Sequence, residues 1–130
     1  ELHNAALDEA ERKIARAMGQ VGDPWGKLEA ACITLAAIQL DPESLTTPMM
    51  NDFREVPAAL RAELLLRRDR FENIFRALVE TLPLAAEVDR SVYRNLLLVQ
   101  LNSAADWYRP GGRLSPADIG KQIALLFGRH

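Results

Sequence analysis

Cys32 is the only thiol in the 130-residue chain, and His3 and His130 are its two imidazoles. A cysteine becomes a nucleophile when a base or a positive charge stabilises its thiolate. Cys32 instead lies in the run from Ala30 to Leu40, where nearly every residue is apolar or small. It therefore reads as a small buried hydrophobe. A lone cysteine also excludes an intramolecular disulfide and a cysteine-based metal cage, so a reducing cytoplasm is the expected compartment. His3 and His130 stand at the two ends with no second ligand at helical spacing, and no metal site is expected. No Gly-rich phosphate loop and no Ser-His-Asp set emerges, and the carboxylates are scattered over polar positions. The sequence assigns no catalytic residue and no cofactor.

What remains is recognition chemistry. Arg67, Arg68 and Arg70 carry guanidinium forks that suit phosphate. With Glu63, Asp69 and Glu72 among them, a solvated helix face is the preferred reading. Met49, Met50 and Phe53 fit a pliable lid over an apolar ligand, or ordinary core filling. Trp107 shares adjoining turns with Leu96, Val99, Gln100 and Ser103, a pattern of either a pocket wall with polar handles or a packed helix corner.

The elements that must position these residues are helices. No stretch shows sustained period-two alternation, and no Asn-Gly or Asp-Gly hairpin turn occurs. Residues 2–18 carry a stripe of Leu7, Ala10, Ile14, Ala17 and Met18, closed by Gly19 and Gly22. This segment has no start signal, and it reads as a helix entered partway along. Asp23-Pro24 then gives an N-cap and first helical residue for a second helix that ends before Asp41-Pro42. The turn-rich stretch 42–57 holds one short helix, with Met49, Met50 and Phe53 facing inward. The longest helix follows over 57–82, then one over 88–108. Ser115-Pro116 caps the last, whose stripe is Ile119, Ile123, Leu126 and Phe127. The sum is an all-α bundle of about six helices in one domain, residues 1–130.

Hydrophobic residues make up 48% of the chain and charged ones 26%, with a net charge of −2. That balance suits a globular protein and offers no basic surface for nucleic acid. No apolar run approaches the ~20 residues needed to span a bilayer. Leu96, Leu97, Leu98 and Val99 point in four directions around one helix, so that helix must bury its outer face as well as its inner one. A partner molecule is expected to cover the last two helices.

The segment Leu101-Asn102-Ser103-Ala104-Ala105-Asp106-Trp107-Tyr108-Arg109-Pro110-Gly111-Gly112-Arg113-Leu114-Ser115-Pro116 resembles the penultimate-helix motif of TetR-family (tetracycline-repressor-like) regulators. The order of elements, with Arg67-Arg68-Asp69-Arg70-Phe71 on the long helix, is similar as well. The resemblance implies a ligand-binding and dimerisation domain of a repressor, with the N-terminal helix-turn-helix domain absent and DNA bound only through it. It implies an effector cavity walled by Trp25, the Met49, Met50 and Phe53 helix, Leu64, Arg68, Phe71 and Phe75, and by Leu96, Gln100, Ser103 and Trp107. The effector would be a small hydrophobic or acyl-CoA-like metabolite. The last two helices would pair with a second copy as a four-helix dimer interface through Leu98, Leu101, Ala105, Tyr108, Ile119, Ile123, Leu126 and Phe127. The rival expectation is a helical interaction or scaffold module with a filled core. An all-helical enzyme would need convergent titratable groups, and the sequence shows none.

Overall fold

The computed structural model describes residues 2–41 and 58–128. Among them are five α-helices: α1 (Leu2–Gly19), α2 (Pro24–Gln39), α3 (Ala58–Thr81), α4 (Arg90–Ser103) and α5 (Pro116–Leu126). No strand occurs among the described residues, as the periodicity predicts, and no helix there is long and apolar enough to cross a membrane. The expected short helix with Met49, Met50 and Phe53 lies outside the described residues.

Both Pro-marked starts form as read. The Asp23 carboxylate accepts from the Gly26 N–H at 3.0 Å, with Pro24 in the first turn of α2. Ser115 and Asp118 cap α5 reciprocally: the Ser115 hydroxyl accepts from the Asp118 N–H at 3.1 Å, and the Asp118 carboxylate accepts from the Ser115 N–H at 3.0 Å. Such caps are worth about 1 kcal/mol each because they satisfy N–H groups that the helix itself cannot. The helix expected over 88–108 is α-helical only from Arg90 to Ser103 and tightens into a 3₁₀ turn at Ala104–Asp106. Gly111 then turns the chain at φ 75°, a left-handed conformation that a residue without Cβ enters freely.

α2 is the central element. Its Leu28, Ala31, Cys32, Leu35 and Ala36 are buried on several sides, and it packs chiefly along α5 and α1 while also touching α3 and α4. Phe71, Phe75, Leu78, Val79 and Leu82 of α3 close the core, with Leu97, Leu98 and Leu101 of α4 and Ile119, Ile123 and Ala124 of α5. Each large side chain buried there contributes roughly 1.5–3 kcal/mol. The α2–α5 crossing is close because of Gly120. A Cβ at that position would lie 2.5 Å from the Cys32 carbonyl oxygen and 2.7 Å from Ile33 Cα. Gln39, only 2% exposed, ties α2 to α4 by donating from Nε2 to Asn102 Oδ1 at 2.9 Å. Tyr93 and Phe127 meet edge to face at 5.5 Å, and the Tyr93 hydroxyl donates to the Phe127 carbonyl oxygen. That contact sets the end of α5 beside the first turn of α4.

The faces of α4 and α5 differ from the sequence expectation. Leu98, Leu101, Ile119 and Ile123, expected at a dimer interface, are buried inside the protomer, Leu101 to 1% exposure. Ala105, Tyr108 and Phe127 are half-buried against the same core. Of that set, only Leu126 faces solvent, at 73% exposure. The outward apolar side chains are Val92, Leu96 and Val99, which recur at helical spacing along α4, together with Leu125 and Leu126. The physical reason is the Gly120 crossing, which turns Ile119 and Ile123 onto α2 and leaves Leu125 and Leu126 outside.

Candidate functional site

α1 and α3 both rest on α2, and among the described residues they approach each other closely at few points. The gap between them is a cleft of about 750 Å³. Small residues hold it open: Ala15 and Gly19 on the α1 wall and Ala77 on the α3 wall are too short to meet across it. Met18, Ile74 and Leu78 supply the apolar surface, with Asn73 and Thr81 along the α3 edge. The Thr81 hydroxyl is turned back onto its own helix, donating to the Leu78 carbonyl at 2.6 Å.

Two cations border the cleft. Lys27 donates to the Met18 carbonyl oxygen at 2.8 Å, so it satisfies a carbonyl in the last turn of α1. Arg70 reaches across from α3 to α1. Its Nε donates to Glu11 Oε2 at 2.9 Å, its Nη2 to Asp8 Oδ1 at 2.6 Å, and Nη2 also pairs with Glu11 Oε1. The fork on Glu11 is bidentate, a geometry that a lysine cannot reproduce. Hydrogen bonding from Arg70 holds the Asp8 carboxyl below its ordinary range, and the bonds that Arg70 donates to Glu11 and Asp8 raise Arg70 in turn. Glu11 lines the cleft beside Arg70, so the clasp is part of its wall.

The sequence-predicted cavity residues whose side chains are described do not line this cleft. Phe71 and Phe75 are in the core, one turn-face away from the cleft residues Arg70, Ile74 and Ala77. Trp25 starts α2 and packs on the core, its indole nitrogen buried without a hydrogen-bond partner among the described residues. Leu96 and Gln100 face solvent on the outer side of α4, and Ser103 is half-buried. Trp107, 53% exposed, borders a smaller hollow of about 270 Å³ with Tyr108, Arg109, Arg113 and Leu114. The side chains of Leu64 and Arg68 lie outside the described ones.

The cleft residues of α1 were missed because nothing in the local sequence joins them to α3. Asp8 and Glu11, three apart on one face, are the only trace of the clasp, and their cation is about sixty residues away. Burial pushes the Cys32 thiol up to about 12, with the Glu29 charge adding to the effect, so it remains a protonated core group. No cluster of metal-ligating side chains occurs among the described residues.

Residues 21–130 match the family model of the tetracyclin repressor-like, C-terminal domain. No curated protein matches the chain. Among solved structures, a TetR-family transcriptional regulator, PfmR from Thermus thermophilus, superposes with a TM-score of 0.78 at 22% identity, covering 98% of this chain and 71% of that one. AibR in complex with isovaleryl coenzyme A and operator DNA gives 0.74 at 16% identity, covering 95% and 69%. A TetR/AcrR-family regulator from Thermobifida fusca gives 0.72 at 23%, covering 96% and 68%. At these identities the likeness is one of fold.

Proposed function

Because this chain belongs to the tetracyclin repressor-like C-terminal domain family of transcriptional regulators, we propose that it is the effector-binding and dimerisation domain of a repressor. The DNA-reading helices would stand on a domain preceding α1. The observation that carries this reading is the cleft between α1, α2 and α3. Its volume of about 750 Å³ falls within the roughly 300–1,000 Å³ of small-molecule sites, and its walls join apolar surface to a few polar groups.

The effector is a lipid-like metabolite, of which an acyl-CoA is the leading case. The apolar surface of Met18, Ile74 and Leu78 suits an acyl chain, and Arg70 and Lys27 suit an anionic end. AibR, with its bound isovaleryl coenzyme A, supports that class. Such an effector regulates only through its difference in affinity between the DNA-competent and incompetent arrangements. Since α1 forms one cleft wall, filling the cleft bears on the helix that would lead to the DNA-reading heads. A second copy covers the outer apolar face of α4, formed by Val92, Leu96 and Val99, and the exposed end of α5.

Thermal denaturation with decanoyl-CoA tests the effector site. At a hundred times its Kd the ligand should stabilise the chain by about 2.7 kcal/mol. Ala77 is exposed in the cleft, so Ala77→Trp fills the space without entering the core. The variant should melt like the wild type without ligand and lose the ligand-induced rise. A wild type that shows no rise, or a variant that keeps it in full, would contradict the assignment.

A further inference from the structure

Taking the cleft as the effector site, we propose that Arg70 is the anion acceptor for the effector, whose negative group displaces Asp8 and Glu11 and thereby unfastens α1 from α3. Arg70 has two roles that cannot both be kept once an anion enters. It lines the cleft, and it is also the described side chain on α3 that grips α1. Among the described residues α1 rests chiefly on α2, and its close approaches to α3 are too few to replace that grip.

The exchange is cheap for the protein. Asp8 and Glu11 keep 47% and 26% of their side-chain surface exposed, so water can solvate both carboxylates once they are released. The incoming anion gains the same fork that Glu11 uses. Its apolar tail lies along Ile74 and Leu78, a contribution that Glu11 cannot match. Lys27 is a poorer acceptor because its ammonium is a point charge and cannot offer the two-toothed fork that Arg70 offers. A neutral ligand of the same length would fill the cleft and leave the clasp closed. The charge of the effector, rather than its bulk, is then what frees α1.

Calorimetric titration of the whole chain with decanoate, decanoyl-CoA and 1-decanol tests this, alongside hydrogen exchange of the α1 amides. The double variant Asp8→Asn with Glu11→Gln removes the internal competitor. It should bind an anionic probe roughly tenfold more tightly and bind decanol unchanged. Whether decanoate or decanoyl-CoA shows the gain identifies the head group as carboxylate or phosphate. Arg70→Met should erase the preference of the anionic probes over decanol while still binding decanol. The α1 amides should exchange faster with the anionic probe bound and not with decanol. A misfolded variant cannot mimic a gain in affinity. If all three probes bind the wild type and both variants alike, the exchange is overturned while the cleft remains an effector site. If none of the probes binds the wild type, the effector reading fails and the exchange fails with it.

Discussion

Gly120→Ala is expected to lower the melting temperature of the chain by about 10 °C. In an open helix position this substitution stabilises by up to ~1 kcal/mol, because alanine is the better helix former. Here the new methyl group meets backbone on both sides, 2.5 Å from the Cys32 carbonyl oxygen and 2.7 Å from Ile33 Cα. Backbone inside a packed helix cannot swing aside as a long side chain can, so α5 must lift from α2. Overpacking of this kind costs about 2–3 kcal/mol, and each kcal/mol moves the midpoint by roughly 4 °C in a domain of this size. Gly19→Ala is the control, since a Cβ there meets nothing within 4 Å. Circular dichroism melts of both variants give the comparison. A Gly120→Ala protein as stable as the wild type would mean that the α2–α5 crossing is looser than described.

The second large effect concerns the outer face of α4. Leu96→Arg together with Val99→Arg should convert a dimer into a folded monomer, weakening self-association by at least roughly a hundredfold. Both side chains are more than half exposed, so arginine costs the isolated protomer little and harms only a surface that a second copy must desolvate. Leu101→Arg should behave differently. Leu101 is 1% exposed, and a charge there is buried without a partner, which costs several kcal/mol and unfolds the chain. Sedimentation velocity separates the two outcomes. Unaltered sedimentation of the Leu96→Arg, Val99→Arg protein would contradict the interface.

The contrast between Leu96 and Leu101 also marks where the sequence stops being legible. The helix starts at Asp23-Pro24 and Ser115-Pro116 are local chemistry, and both could be read from four residues each. The all-helical class follows from periodicity, and the family follows from the corner around Trp107 and Tyr108. The inward face of α4 does not follow, because Leu96 to Val99 are all apolar and a period has no sign. The Gly120 approach decides that face for α5, and it depends on the backbone of a helix nearly ninety residues earlier. The cleft was hidden for a similar reason. Its emptiness comes from small residues, Ala15, Gly19 and Ala77, which carry no chemical signal. In sequence Arg70 reads with its neighbours as a phosphate-binding candidate or a solvated cation, but its clasp with Asp8 and Glu11 exists only in the folded chain.

One protomer is proposed to offer both an effector cleft and a self-association face. Native mass spectrometry of the chain with saturating decanoyl-CoA counts both at once. A dimer carrying one ligand per protomer is the expected result. A chain that stays monomeric and free of ligand would contradict it.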